Sequence, residues 1–166
     1  MRLYPAYAFT ALLILALPVA IGCSKDAGGY APDFSVTVVG GGGDEWLDRN
    51  IKLSDMRGTP VVVHFTASWC NACRRIFGTI TDDYDGVFVM GVGVLDRKSN
   101  IVEFVRAQDL PAPVGYDEDG TIAYDYNVTT LPFTVFIDSE GRVAEKVMGT
   151  VEGERLKELM LKITRT

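Results

Sequence analysis

The sequence is poor in residues that bind metals. It has one histidine and three cysteines among 166 residues, whereas structural zinc usually takes four such ligands in two pairs. The single C-x-x-C motif, Cys70 and Cys73, has no second pair, and Arg74 stands where a covalent c-type haem needs a histidine. We therefore expect no metal and no cofactor, although the two thiolates could bind Cu(I) transiently.

Basic residues are also too few for a protein that binds polyanions. The chain has 16 lysines and arginines against 22 aspartates and glutamates, a net charge of −6. No basic cluster interrupts this excess of acidic residues. Because an acidic surface repels phosphate groups, we expect no nucleic acid partner and no electrostatic binding to anionic lipid.

No hydrophobic run is long enough to cross a membrane, which takes about 20 residues. The N-terminal apolar run covers only residues 9–21 and follows a short start with one basic residue, Arg2. This pattern is typical of a secretory signal peptide, here residues 1–22. The ending "AIGC" resembles the lipobox of bacterial lipoproteins, which implies a lipidated Cys23 followed by a tether, residues 23–31 together. The alternative is an ordinary signal peptide, with Cys23 incidental or removed.

The rest of the sequence, residues 32–166, predicts one α/β domain. Strands are expected at residues 34–39, 51–53, 60–65, 86–95, 133–138 and 142–148. A helical turn is expected at residues 54–58, and helices from Cys70 toward Asp82 or Asp83, at 99–108 with Ser99 as cap, at 119–128 and at 152–163. Strands and helices alternate, so the layers should be those of an α/β fold.

The C-x-x-C motif follows a predicted buried strand and begins a predicted helix. A disulfide that closes so small a loop stabilises a fold weakly, which argues against a purely structural bridge. The positive end of the helix dipole favours the thiolate of Cys70, which should be exposed, while Cys73 should be more buried. Because the thiolate is the nucleophile in thiol–disulfide exchange, this placement indicates a redox site.

Three segments together resemble the thioredoxin superfamily: "APDF" (31–34), "LSDMRGTPVVVHFTASWCNAC" (53–73) and "YNVTTLPFTVFIDSEGRV" (126–143). They are most similar to the TlpA/ResA-like branch of extracytoplasmic thiol–disulfide oxidoreductases. The resemblance covers about residues 31–163. It implies a thioredoxin fold, an α/β fold with a central mixed sheet flanked by helices, and an N-terminal β-hairpin extension.

The resemblance also implies an activity and a location. The protein would be an enzyme held by its lipid anchor at the periplasmic side of a membrane. It would reduce oxidised cysteines in exported proteins, for example during cytochrome c maturation, with electrons from a membrane electron donor of the thiol–disulfide type. Two alternatives stay open: a thioredoxin-like binding lipoprotein or copper-handling module without turnover, and an oxidant that forms disulfides.

The site residues follow from the same resemblance. Cys70 would be the attacking thiol and Cys73 the resolving thiol, with Trp69 packed beside them. Pro132 matches the family's cis-proline, whose loop lies against the cysteines and offers its backbone to a substrate strand. Leu131 would line the substrate groove.

The sequence departs from this family pattern between and after the cysteines. Ala72 replaces a common proline, and Ile76 stands where ResA-like proteins have an acidic residue. Thioredoxin-fold peroxidases have a threonine three residues before the reactive cysteine. Ala67 holds that position here and Thr66 is displaced by one, which argues against a peroxidase.

His64, six residues before Cys70, occupies a strand position that should face the underside of the cysteine pair. A buried neutral imidazole could accept the proton of Cys73 when that thiol becomes a nucleophile. The alternative is a hydrogen-bonded polar residue of the core without a catalytic role.

Overall fold

The computed structural model describes residues 28–81 and 84–165. The predicted signal peptide, Cys23 and most of the predicted tether therefore lie outside the described residues. Within the described ranges, no helix combines the length and apolar character that a membrane span requires. Gly28 and Ala31, assigned above to the tether, donate hydrogen bonds to the carbonyls of Val143 and Gly141. The folded part thus extends N-terminal to residue 32.

Seven strands and four helices make up the described chain. The strands are β1 Ser35–Gly40, β2 Asn50–Lys52, β3 Val61–Thr66, β4 Phe88–Gly93, β5 Val114–Tyr116, β6 Phe133–Ile137 and β7 Val143–Met148. The helices are α1 Asn71–Thr81, α2 Lys98–Gln108, α3 Thr121–Asp125 and α4 Gly153–Thr164, with short 3₁₀ turns at Asp44–Trp46 and Leu53–Met56. Every predicted strand and helix is present, and β5 is the one strand of the described chain that was not predicted.

The strands form one mixed sheet in the order β2-β1-β5-β4-β3-β6-β7. β3 pairs in parallel with β4 and antiparallel with β6, and β4 pairs in parallel with β5. All six residues of β3 are buried, as its continuous apolar sequence predicted for a central strand. The β1–β2 hairpin extends the sheet beyond β5. This arrangement confirms the predicted thioredoxin fold with an N-terminal hairpin.

Helices cover both faces of this sheet. Tyr126 and the α3 residues Ile122 and Ala123 pack on the face to which β3 contributes Val63 and Phe65. On the other face, α1 and α4 pack over β3 and β6. The residues that they bury in this cluster are Ile76, Ile80, Leu156, Leu159, Met160 and Ile163. The apolar stripe predicted for the last helix is therefore confirmed.

The predicted cap of α2 is wrong. The helix begins at Lys98 after an extended Arg97, so Ser99 lies inside the first turn. The N-cap residue, Arg97, makes no side-chain capping bond. Asp96 precedes it and braces the start of α2, because its Oδ1 accepts hydrogen bonds from the Arg97 amide at 2.7 Å and from Asn100 Nδ2 at 2.9 Å.

Candidate redox site

The cysteines form a disulfide between the end of β3 and the start of α1. Their Cα atoms are 5.3 Å apart, with Cys70 directly before the helix and Cys73 in its first turn. Cys73 is 0% exposed and Cys70 6% exposed. The predicted order of burial is confirmed, but the prediction of an exposed Cys70 is wrong for this disulfide form. Ala67 and Leu131 pack around the pair and leave only an edge of Cys70 accessible.

The first turn of α1 directs a backbone donor at the more exposed sulfur. The amide of Cys73 is shared between Sγ of Cys70 at 3.2 Å and the Cys70 carbonyl at 3.1 Å. Amide groups in the first turn of a helix favour a nearby negative charge. After reduction, this geometry favours charge on Cys70 over charge on Cys73, as the roles of attacking and resolving thiol require.

Pro132 directly follows Leu131, which packs against the cysteines although it is distant from them in sequence. β6 begins at Phe133, which pairs with Phe65 near the end of β3, so the residues before β6 reach the disulfide. The Leu131–Pro132 peptide bond is cis, as the family resemblance implied. Leu131 packs on the cluster that contains both cysteines. The carbonyl of Pro132 accepts a hydrogen bond from Gly149 at 2.8 Å and is therefore already paired.

Trp69 lies beside Cys70 in sequence, but its side chain is not packed into the site. It is 60% exposed, and its Nε1 donates a hydrogen bond of 3.4 Å to the carbonyl of Leu95. Leu95 is itself 65% exposed. Two large apolar side chains therefore stand in solvent next to the disulfide.

Asp96 fixes the segment that precedes the cysteines, and the sequence analysis did not identify it. Its Oδ2 accepts a hydrogen bond from the Ser68 amide at 2.8 Å. Although burial acts to raise the pKa of Asp96, hydrogen bonds from Ser68, Asn100 and Arg97 hold it below its ordinary value. An aspartate between a buried strand and a helix was the signal available in the sequence, but its bond to Ser68 requires the folded chain.

His64 lies in the middle of β3, on the face covered by α1. Its ring meets that of Phe77 edge to face, with centroids 5.0 Å apart. Its Nδ1 lies 2.9 Å from Oγ1 of Thr134, the residue directly opposite in β6. Burial lowers the pKa of His64 from 6.5 to about 3, and the backbone of Cys73 opposes this only partly. His64 therefore lies on the predicted face of β3, under α1, and an imidazole with this pKa is neutral at pH 7.

Two buried polar side-chain atoms near this position lack a partner at hydrogen-bonding geometry, although the backbone of Cys73 is close enough to His64 to act on its pKa. Among the described residues, only His64 Nε2 and Thr66 Oγ1 are buried side-chain nitrogen or oxygen atoms without a hydrogen bond. Thr66 is 0% exposed, so its hydroxyl is enclosed in the core. Ile76 is buried in the core under α1, where an acidic residue would be costly.

A thioredoxin fold with a C-x-x-C disulfide at this position defines the class of thiol–disulfide oxidoreductases. Comparison with known proteins gives the same class. The sequence profile of the AhpC/TSA family matches residues 27–146. The thiol-disulfide oxidoreductase ResA of Bacillus cereus is 28% identical over 94% of this chain and 95% of its own length. ResA of Geobacillus thermodenitrificans is 30% identical over 79% of this chain and 74% of its own length.

A solved structure agrees with the sequence relatives. A protein from Chlorobium tepidum, assigned as thiol:disulfide interchange protein DsbE, is 28% identical over 83% of this chain and 97% of its own, with a TM-score of 0.71. The chain therefore belongs to the AhpC/TSA family and is a thiol–disulfide oxidoreductase of the ResA/DsbE type.

Proposed function

We propose that this protein is a membrane-tethered, extracytoplasmic reductase that acts on disulfides in exported proteins, for example during cytochrome c maturation. The observation that supports this most strongly is the Cys70–Cys73 disulfide at the start of α1, with Leu131 packed against it. Exchange at such a pair needs one accessible sulfur and one protected sulfur, and Cys70 and Cys73 differ in this way.

The proposed cycle moves two electrons from the reduced protein to its substrate. The Cys70 thiolate attacks one sulfur of the substrate disulfide, a mixed disulfide forms, and the other substrate sulfur leaves as a thiolate that takes up a proton. The thiol of Cys73 then loses its proton and attacks Sγ of Cys70. The intramolecular disulfide forms again and the second substrate thiol is released. A membrane donor of the thiol–disulfide type would reduce the pair for the next cycle.

Leu131 offers the backbone groups that a substrate strand could use. The carbonyl of Pro132 is taken by Gly149. The amide and carbonyl of Leu131 have no hydrogen-bond partner in the part of the chain that the structure describes. Extended peptides bind by pairing with such free groups at the edge of a site. Trp69, which is exposed beside Cys70 in sequence, would contact the same substrate.

The location rests on the N-terminal sequence, where an apolar run ends in "AIGC". We propose cleavage after residue 22 and lipid on Cys23, which would hold the enzyme near a donor in the same membrane. Metabolic labelling with a radioactive fatty acid should mark the wild type but not Cys23→Ser. If both proteins are labelled equally, or neither is, the lipid anchor is wrong while the redox activity stands.

The equilibrium reduction potential of Cys70–Cys73 tests the direction of electron flow. A value near that of thioredoxin, about −270 mV, supports a reductase, whereas a value near that of DsbA, about −120 mV, indicates an oxidant. Cys73→Ser should trap mixed disulfides with exported proteins in cells, because the resolving thiol is missing. The matched control, Cys70→Ser, should trap none. Equal trapping by both variants would contradict the assigned roles.

A further inference from the structure

The first described residues of the chain are attached to the sheet at the start of β7. The amide of Gly28 donates a hydrogen bond to the carbonyl of Val143 at 3.0 Å. Tyr30 forms an isolated antiparallel bridge with Arg142, the residue directly before β7. These contacts fix the point at which the predicted tether enters the folded domain.

This point of entry lies at the end of the sheet opposite the disulfide, and we call it the tether end. Val143 is paired with Ile137, the last residue of β6, and Ile137 is paired with Val61, the first residue of β3. Cys70 follows the other end of β3, beyond Thr66. The five residue steps of β3 cover about 17 Å, so the tether enters the domain at least about that far from the disulfide.

The part of the tether that precedes Gly28 is short compared with this distance. Five peptide units join Cys23 to Gly28, and a fully extended chain covers at most about 3.6 Å per residue, so they span no more than about 18 Å. Lipid on Cys23 would place that residue at the membrane surface. To bring Cys70 to the same surface, the tether would have to run fully extended along the sheet, with no length left to pass around the domain. The tether end must therefore lie nearer to the bilayer than the disulfide does.

Side chains at the tether end are compatible with a lipid surface. Tyr30 is 70% exposed, and the guanidinium of Arg57 lies 5.6 Å from the centroid of its ring. Leu161, 50% exposed, lies at this end as well, because the next residue, Lys162, donates a hydrogen bond to the carbonyl of Ala144 in the first turn of the strand β7. Tyrosine, arginine and lysine can bury their apolar parts in a lipid surface and keep their polar tips in water.

We propose that the lipidated protein stands on the membrane with its tether end toward the bilayer, so that Cys70 points away from the membrane. This inference rests on the proposed function, since it assumes the lipid on Cys23 and concerns the partners of the same redox site. The membrane electron donor must then carry its own dithiol on a part that projects from the bilayer by about 17 Å or more. Polypeptide substrates reach the disulfide from the aqueous side.

The two tryptophans of the chain report on opposite ends of the sheet. The ring of Trp46 lies 5.4 Å from that of Phe88, the first residue of β4, which is paired with Val61 at the tether end. Trp69 directly precedes Cys70 at the other end. The variant Trp69→Phe therefore leaves a fluorophore at the tether end, and Trp46→Phe leaves one beside the disulfide.

The test measures energy transfer from each tryptophan to the membrane. Both full-length, lipidated variants are placed in phosphatidylcholine vesicles with and without a dansyl-labelled phosphatidylethanolamine. The fractional loss of tryptophan fluorescence gives the efficiency, which cancels differences in brightness. Because energy transfer falls steeply with distance, Trp46 should transfer several-fold more efficiently than Trp69. In a matched pair of variants, an insert of about 20 glycine and serine residues after Ser24 adds about 25 Å of reach and should make the two efficiencies nearly equal.

Equal efficiencies with the native tether would overturn the proposal, and so would a difference that the long tether leaves unchanged. Flotation with the vesicles and reduction of glutathione disulfide are measured on the same samples. A wild-type protein that does not float shows that the lipid anchor is wrong, and the inference fails with it. A protein that floats with the expected difference but reduces no disulfide supports the orientation and contradicts the proposed activity alone.

Discussion

His64, the only histidine of the chain, should make the stability of the fold depend on pH. His64 is completely buried, and its pKa is lowered from 6.5 to about 3. The unfolded chain therefore binds a proton at a higher pH than the folded chain does. The contribution of His64 to stability is unaffected above pH 6.5 and is lost progressively as the pH falls from there toward about 3.

The magnitude follows from the separation of the two pKa values. One pKa unit corresponds to about 1.4 kcal/mol. Between pH 7 and pH 5, protonation of the unfolded histidine rises from about one quarter to nearly complete, whereas the folded histidine takes up almost no proton. The free energy of unfolding should therefore fall by about 2 kcal/mol over this interval. Carboxylates titrate mainly below it, and Asp96, whose pKa is lowered, loses its hydrogen bonds only in stronger acid.

Urea unfolding of the oxidised protein at pH 7 and pH 5 measures this loss. The disulfide removes the titration of both thiols, and tryptophan fluorescence follows the transition. The matched variant His64→Asn has no titratable group at this position, so its free energy of unfolding should change by less than about 0.5 kcal/mol. Equal losses in wild type and variant would refute the reasoning, because the pH dependence would then arise elsewhere.

Three further predictions concern the same region. His64→Asn should leave the rate of disulfide exchange within about twofold of wild type between pH 6 and 9, since an imidazole with so low a pKa is a poor proton acceptor. If the variant instead loses exchange rate increasingly toward low pH, His64 acts as a proton acceptor in catalysis. Asp96→Ala should lower the free energy of unfolding by about 1 to 2 kcal/mol, measured in urea, because the Ser68 and Arg97 amides and the Asn100 side chain lose their acceptor; unchanged stability would contradict that role. Gly91→Ala should cost about 1 to 3 kcal/mol in the same assay, since a Cβ there would lie 2.4 Å from Phe77 Cζ; a neutral result would mean that Phe77 can move aside.

The sequence predicted most elements because their apolar patterns are long and regular. β5 was missed for a physical reason. It has three residues, and its central Gly115 is typical of loops rather than strands. In the structure, a Cβ at Gly115 would lie 2.5 Å from Val36 of β1. Glycine is therefore required there by a neighbouring strand, and no pattern within β5 itself reveals this requirement.

The sequence identified those candidate site residues that belong to recognisable motifs. Cys70, Cys73 and Pro132 are recognisable from local sequence, and His64 is recognisable from its spacing. The burial of Cys70 was not predictable from local sequence. It depends on packing by Leu131, a residue far along the chain that the fold brings to the cysteines. Leu95 and Asp96 belong to no motif. Their conformation is set by hydrogen bonds to residues 20 or more positions away, so only the folded chain identifies them.

The register of three strands explains why these separate segments meet. Thr66 at the end of β3 is paired with Gly93 at the end of β4, because those strands are parallel. Phe65 is paired with Phe133 at the beginning of β6, because that pair is antiparallel. The cysteines follow the end of β3, Leu95 follows the end of β4, and Pro132 precedes the start of β6. All three segments therefore lie where the strands end on the same side of the sheet. If β6 ran parallel to β3, its first residue would lie at the other end of the strands, far from the cysteines. The antiparallel direction of β6 is therefore what allows Pro132 to be part of the redox site.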